Sequence, residues 1–389
     1  MTTRAIYPAR RAVEHAVTVP GVRPVRLFAV LWPLWQVEIT ANVYDEQAYE
    51  IIDRFLVRAI AEGGIDGRDE LIAFYCLQPS LVDRCLAFLT VIGHLTTDHG
   101  RLRLTELGLR SARAGVRYTL KESRQKLLFE RYTGRPLPRR HYHGSVTVLP
   151  TPDVPEDMLA DRTRFLPLYA ATAFHPRMVD ALAARPDRAD YNLPGQLRGI
   201  GGGAAQDAYL PVYLIETDNR DLLAYTAIGA ERDAFLEAVC RDVPAIHARI
   251  DAENRQDPRD LWTEWLAGTK LGAGQPRRLA NGVWRVTLTP AAFSGPPKLP
   301  LSRVGSFQLR KHHFLQLWCD DAELRGRAVK ERALAMARSH EVETQADLMG
   351  RIDALASQLE VTGPTIAQLR SYAKSNRLHD HLAHLDDLG

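Results

Sequence analysis

The chain has 389 residues, enough for two or three domains at about 100–200 residues each, and its 46% hydrophobic and 25% charged residues describe an ordinary globular protein. No apolar run reaches the roughly 18 residues that span a bilayer, and no charged-then-apolar leader opens the chain, so a cytoplasmic protein with no membrane partner is expected. The formal net charge of +3 is too small to argue by itself for nucleic acid, and Cys76, Cys85, Cys240 and Cys319 lack the CxxC spacing of a zinc site or disulfide framework. Buried free thiols are expected instead, and the Arg-, Ala-, Pro- and Asp-rich composition suggests a high-GC bacterial source.

Residues 1–24 are polar and punctuated by proline, and read as a loose arm. Val25–Tyr44 is rich in aromatic and β-branched residues (Leu27, Phe28, Val30, Trp32, Trp35, Val37, Ile39, Val43) and predicts one or two strands. The period then becomes helical: Tyr49, Ile52, Phe55, Leu56, Ala59 and Ile60 share a face that stops at Gly63-Gly64. A short helix follows from Arg68 to Leu77 with Leu71, Ile72 and Tyr75 inward. Another starts at Ser80, with Val82, Cys85, Leu86, Leu89 and Ile92 on one face and Gly93 at its end. Asp98-His99-Gly100 supplies turn chemistry for a tight hairpin carrying Leu95, Leu102 and Leu104. Thr105 caps a closing helix from Glu106 to Ala114, stopped by Gly115.

The stretch QPSLVDRCLAFLTVIGHLTTDHGRLRLTELG resembles the winged helix-turn-helix domains of bacterial and archaeal regulators. Its most recognisable part is the Gly-x-Leu-x-Leu-Thr-x-x-Gly exit from the wing, Gly100 to Gly108. The resemblance covers residues 46–115 and implies a winged helix and double-stranded DNA as partner.

The middle of the chain, 145–318, reads as a mixed α/β domain with no recognisable family. Strands are predicted at Val146–Leu149, Leu210–Glu216, Leu222–Ala227, Trp284–Thr289 and Phe307–Trp318, and helices at Arg177–Ala184, Asp233–Arg241 and Leu261–Ala267. Pro-rich joints at Pro150–Pro155 and Pro296–Pro300 suggest boundaries. Residues 319–389 are helical in pattern, beginning with Asp321–Arg338. Within them LASQLEVTGPTIAQL, Leu355–Leu369, resembles a plain helix-turn-helix near 350–377, with Glu360 where the family usually has glycine; a left-handed backbone there is costly for a residue with a Cβ. The expected fold class is therefore a mixed α/β multidomain chain: an N-terminal arm and strands (1–45), a winged helix with a basic helical extension (46–144), a mixed α/β domain (145–318) and an all-helical module (319–389).

Charge is concentrated between Arg101 and His143, where twelve Lys and Arg face three Glu, the footprint expected of phosphate contacts. Ser80, Arg84 and Thr90 are the exposed candidates on the recognition helix, Arg101 and Arg103 those of the wing. Arg113, Arg117, Lys121, Arg124 and Arg131 recur at helical spacing and would line one DNA strand. One Arg and one Asp (Asp83) make a poor base reader on that first helix, so packing of the winged helix against protein is the competing reading. Near the C-terminus Gln368, Arg370, Lys374 and Arg377 are better suited to base edges and phosphates, with a helical oligomerisation hairpin as the alternative.

No catalytic, metal or cofactor residue is assigned. His141-Tyr142-His143, His312-His313 and His379, His381 and His384 lack the partners of a metal site. Gly199–Gly203 follows no apolar strand and lacks the Lys-Ser/Thr of a phosphate loop, so it reads as a surface loop. Glu216/Asp218 and Asp320/Asp321 follow predicted strands and are the best carboxylate pairs for a metal-dependent nuclease, with solvated strand-end acids as the default. Three functions follow in order: a non-enzymatic, dimeric transcriptional regulator; a DNA-targeting subunit of a DNA-processing or phage-defence complex with low sequence specificity; and a metal-dependent nuclease. The middle or C-terminal domain would carry an effector, the dimer contact or a partner protein.

Overall fold

A computed structural model describes residues 6–144, 146–158, 164–195, 197–228, 232–253, 256–272, 274–338 and 342–388. The chain is mixed α/β with a helical C-terminal segment. It divides into two compact units: Met1–Pro33, His143–Ala171 and Ala208–Gly389 in the first, Leu34–Tyr142 and Thr172–Asp207 in the second. Among the described residues no helix is long and apolar enough to cross a membrane.

The stretch expected as a loose arm holds a helix, α1 (Ala9–Thr18), that buries Ala9, Ala12, Val13 and Ala16. Its apolar stripe is made of small residues, which is why no amphipathic pattern stands out in the sequence. The aromatic stretch after it is one strand, β1 (Pro24–Gln47). Phe28 to Trp35 is buried at every position, as a strand covered on both faces requires. Beyond Trp35 burial alternates, with Val37, Ile39 and Ala41 inward and Glu38 and Asn42 open.

In the second unit the chain continues through α2 (Ile51–Ala61), α3 (Arg68–Tyr75) and α4 (Pro79–Val91), a hairpin of β2 (Leu95–Asp98) and β3 (Arg101–Leu104), and α5 (Glu106–Ala114). Leu56, Val57, Leu71, Val82, Leu86, Leu89, Leu95 and Leu102 form one core beneath these elements. The basic extension expected as a helix is instead a strand, β4 (Arg117–Glu130), antiparallel to β1 from Gln47–Arg117 to Leu34–Glu130. Cross-strand pairing overrides the side-chain spacing here: the ladder to β1 satisfies β4's backbone, and Leu127 and Phe129 join Trp35, Val37 and Ile39 in a core.

A two-residue strand, β5 (Leu166–Pro167), runs parallel to β1 at Val30 and Leu31 in the first unit. The second unit is completed by α6 (Arg177–Ala183) and β6 (Leu197–Gly201). The glycine run expected as a loop is thus largely a strand, pairing with Thr40–Val43 of β1. A Cβ on Gly203 would lie 1.5 Å from the Glu38 carbonyl oxygen, so the close approach of two backbones accounts for that glycine.

The rest of the first unit begins with β7 (Ala205–Thr217) and β8 (Leu222–Tyr225), paired antiparallel, with β7 between β1 and β8 in the strand order. Helices α7 (Ala234–Asp242), α8 (Pro244–Asp251) and α9 (Pro258–Ala267) follow. A second sheet has the order β11-β12-β10-β9, from β9 (Arg277–Arg278), β10 (Trp284–Thr287), β11 (Phe307–Arg310) and β12 (His313–Trp318). The predicted strand Phe307–Trp318 is therefore a hairpin, turning at Lys311-His312. Val146–Leu149 forms no strand; only Leu149 bridges to Tyr209, through two 2.8 Å backbone hydrogen bonds.

The C-terminal helices are α10 (Ala322–Ala337), α11 (Gln345–Gln358), α12 (Ile366–Ser375) and α13 (His379–Asp387). One hydrophobic core crosses the expected boundary at 318, joining Trp262, Val286, Leu315 and Leu317 to Val329, Leu334, Leu348, Ile352, Leu369 and Leu385. Arg325 ties the same join, donating 2.8 Å hydrogen bonds to the carbonyls of Cys319 and Leu359. Glu360, after α11, adopts a left-handed conformation at φ 54° despite its Cβ.

Two outcomes follow for stability. Glu360→Gly removes a left-handed residue with a Cβ and is expected to stabilise the chain by about 1 kcal/mol, measured as a higher midpoint in denaturant. Burial pulls the pKa of His313 down to about 4 from 6.5, so the unfolded chain takes up the proton first as pH falls. His313 therefore contributes its full stabilisation above pH 6.5 and loses about 3 kcal/mol on the way to pH 4. Chemical unfolding from pH 7 to 4.5 is expected to show a shallower loss in His313→Gln than in the parent; equal slopes would remove His313 as the cause.

Candidate nucleic-acid interface

The helical part of the second unit is organised on His94, a fully buried residue just after α4. The Tyr118 carbonyl can only accept, so the 2.6 Å contact to His94 Nε2 places the proton on that nitrogen. Nδ1 then accepts from the Tyr49 hydroxyl at 2.9 Å. Burial holds the imidazole below its ordinary pKa, in keeping with a neutral ring. The His94 carbonyl accepts from Thr105 N at 2.9 Å, and Gly108 packs so closely on it that a Cβ would lie 2.1 Å away. Thr105 caps α5 through its hydroxyl, which accepts from Gly108 N at 3.1 Å. One buried histidine thus links the segment before α2 and the first residues of β4 through its ring, and the hairpin exit and α5 through its backbone carbonyl.

The hairpin turns on His99 and Gly100, both left-handed at φ 47° and 81°, as a two-residue loop requires. Leu102 points inward, while Arg101 and Arg103 are 69% and 67% exposed. Arg101 pairs with Asp66 at 2.8 Å and Arg103 with Asp98 at 3.8 Å. On α4, Ser80 and Arg84 are exposed. Asp83 is gripped by Arg68 of α3 through Nε at 2.5 Å and Nη2 at 2.7 Å, and these hydrogen bonds hold its carboxyl below the usual range. The Thr90 hydroxyl donates to the Leu86 carbonyl at 2.8 Å, within its own helix. Residues 49–115 contain eight Arg against nine Asp and Glu, so the helices and hairpin by themselves carry no positive excess.

The expected single basic stripe is not formed, because a strand sends alternate side chains to opposite faces. Arg117 and Lys121 lie on one face of β4 and Arg124 on the other. Arg117 donates to the Gln47 amide oxygen and lies 5.3 Å from the Phe88 ring centroid. Lys121 pairs with Asp45 at 2.7 Å, and Arg131 is anchored to Asp207 at 2.9 Å and over Trp35. Arg124, opposite Thr40, is exposed. Arg113, at the end of α5, borders a cavity of about 240 Å³ with Arg54 and Arg58.

In the first unit, Gln368 is exposed but its amide oxygen is engaged: Oε1 accepts from Thr365 N at 2.9 Å, one half of a capping box that starts α12. Arg370 pairs with Asp386 of α13 at 3.0 Å. Lys374 and Arg377 remain exposed. Glu216 is buried and bound to Arg26 at 2.6 Å, Asp218 faces Arg23 at 3.7 Å, and Asp321 caps α10 at Leu324 N. These roles account for three of the four carboxylates considered for a nuclease; Asp320 is exposed. Among the described residues no three His, Cys, Asp or Glu side chains are grouped to hold a metal ion. Cys240 and Cys319 are buried as expected, whereas Cys76 is exposed and Cys85 half-buried.

Sequence reasoning passed over the exposed Phe74, Phe88 and Val91 and set Phe55 on an inward face. Phe74 is 64% exposed and packs edge-on against Tyr75, whose hydroxyl donates to the Phe55 carbonyl at 2.8 Å; Phe55 is itself exposed. Val91 and Phe88 are exposed one turn apart on α4. Helical periodicity could have flagged Phe74, Phe88 and Val91, since they fall off the inward faces. The chain matches no family model, no curated protein and no solved structure.

The His94 assembly sets a testable coupling. Tyr49→Phe leaves Nδ1 without its donor and is expected to cost about 1 kcal/mol, and His94→Ala several times more. Because the two share one hydrogen bond, the double variant is expected to cost less than the two single losses added together; strict additivity in urea melts would break the assignment.

Proposed function

We propose that residues 49–115 act as a winged helix that holds double-stranded DNA by its phosphates, with low sequence specificity, as the DNA-targeting subunit of a larger assembly. The observation that carries this reading is the hairpin itself, with Leu102 anchoring it and Arg101 and Arg103 standing outward on the same side. Their present partners, Asp66 and Asp98, form ion pairs that solvent screens and that a phosphate can replace. Arg84 and Ser80 on α4 add a second contact.

The same geometry argues against strong base reading. Asp83 repels the electron-rich acceptors of a groove floor and is locked in place by Arg68, and the Thr90 hydroxyl is engaged with its helix. Base edges are usually read by Arg, Lys, Asn or Gln, and α4 exposes only Arg84 of these. Phosphate contacts without base contacts position a protein on DNA but do not select a sequence. A site-specific regulator is therefore the weaker reading. No metal-dependent cleavage is proposed, since Glu216 and Asp321 serve structural roles.

A second reading is favoured by the exposed Phe55, Phe74, Phe88 and Val91: the module docks on protein through these side chains. The two readings diverge with salt, because counterion release makes phosphate binding weaken steeply while apolar contact does not.

Fluorescence anisotropy with random-sequence duplex over a salt series separates them. Micromolar binding at low salt is expected, with the log–log salt slope reduced by about 3 in Arg84→Ala/Arg101→Ala/Arg103→Ala. Arg117→Ala/Lys121→Ala is expected to leave the slope nearly unchanged. Absence of binding at low salt would end the DNA reading and leave the protein-docking one.

A further inference from the structure

The first unit contains a cavity of about 620 Å³ that none of the foregoing uses. Its size is that of a small-molecule site, about 300–1,000 Å³. It lies where the start of α1, the early part of β1, the segment at Leu166 and the β11–β12 hairpin meet. We propose that this cavity binds a nucleoside polyphosphate, with the phosphates at its basic rim and the ring system against its apolar wall. The inference goes beyond the DNA-binding reading and does not depend on it.

The charge around the cavity is one-sided. Arg10, Arg164, Arg310 and Lys311 line it, and Glu253 is the one acid among its lining residues. Glu253 is already matched by Arg249 at 2.5 Å, so its charge does not cancel the cluster. His312, also in the lining, acts as wall rather than cation. Its ring stacks on Phe28 at 4.5 Å, its Nδ1 lies 3.3 Å from the Leu27 carbonyl oxygen, and its backbone carbonyl accepts from Leu27 N at 2.8 Å. Four cations against a neutralised acid suit a ligand with several negative charges, which a monocarboxylate lacks and a di- or triphosphate has.

Much of the remaining lining is apolar. Leu27 and Ala29 from β1, Leu166 from β5, Tyr213 from β7 and Leu309 from β11 supply it. A ligand of phosphate alone would leave this wall in water, whereas a planar base covers it.

The turn that carries the rim has an unusual backbone. Lys311 is left-handed at φ 51° in the two-residue loop between β11 and β12, a place where glycine or asparagine is the ordinary choice. A long cationic side chain held there at a steric cost, beside Arg310 and facing a cavity, is the pattern of strain retained at a binding site. Its Nζ donates to the Gln256 side chain. No bond-making step is proposed.

The test is calorimetric titration of the full chain with ATP, pyrophosphate and adenosine separately. Saturable ATP binding is expected, with pyrophosphate weaker by about tenfold and adenosine weaker still. Arg164→Ala/Arg310→Ala, both exposed side chains that the core does not need, is expected to lose about tenfold or more in ATP affinity at unchanged thermal midpoint. Leu166→Ala is expected to weaken ATP but not pyrophosphate. The proposal is overturned if ATP shows no saturable binding up to about 5 mM, or if the double arginine variant binds it as tightly as the parent. Equal affinity for ATP and adenosine would overturn the role of the basic rim.

Discussion

The helical part of the second unit depends on one neutral imidazole. His94 sits where four segments must meet, and each of its polar atoms is committed: Nε2 to the Tyr118 carbonyl, Nδ1 to the Tyr49 hydroxyl, the backbone carbonyl to Thr105 N. A buried polar network of this kind is stable only when every member is satisfied. Protonation would put a second N–H toward the Tyr49 oxygen and a charge into a buried site, so the arrangement selects the neutral ring. The His94 backbone carbonyl sets the geometry of the next elements separately. With Thr105 fixed, α5 starts where Gly108 can touch the His94 backbone, and the hairpin is held to two residues at its turn. The outward placement of Arg101 and Arg103 follows from the inward placement of Leu102, not from any preference of the arginines.

The long strand β1 imposes the other constraint. Eight consecutive buried residues, Phe28 to Trp35, cannot face water on either side, so both faces need cover. In the first unit Leu27, Ala29 and Leu31 pack with α1 residues and with Tyr213 and Tyr225. Past Trp35 the strand becomes one-sided, and its pairing with β4 leaves Glu38, Asn42, Lys126 and Arg124 in water. The buried Arg26–Glu216 pair shows the cost of running a strand with a charged residue into such a core. Both ions are nearly inaccessible, and the arrangement survives because Arg220 and Asp251 extend it into a four-member cluster.

Elements with strong local signals were legible in the sequence. Thr105 before a helix, Gly115 after it, and a His-Gly turn between Leu-bearing strands describe local chemistry that tertiary contacts reinforce. Elements whose identity is decided by partners were not. Arg117–Glu130 carries Arg and Lys at intervals that suit a helix, yet its conformation is set by β1, a partner some 80 residues away in sequence. Gly199–Gly201 reads as a loop because no apolar strand precedes it, and it is a strand because it pairs with β1. The α1 stripe of alanines was invisible to a search for large apolar groups, and the core shared across residue 318 is non-local by construction. The rim of the 620 Å³ cavity gathers residues from positions 10 to 312, and no spacing rule joins them.

The basic window from Arg101 to His143 illustrates why charge counted along a chain is a poor guide to a binding surface. Twelve cations against three acids look like a patch only while the partners are unknown. Folding brings Asp66, Asp98, Asp45 and Asp207 beside four of those cations, sends Arg124 to the face opposite Lys121, and stacks Arg110 over Tyr44 and Tyr118. The ion pairs of the two wing arginines and that of Lys121 with Asp45 are comparably exposed, which separates these three cations from Arg131. A carboxylate facing an arginine in open water contributes little and is readily exchanged for a phosphate, whereas Arg131, mostly buried beside Trp35, would have to leave its packing to reach one. Availability, set by burial and by the cost of breaking existing contacts, is the quantity that separates a cation that binds from one that holds the fold.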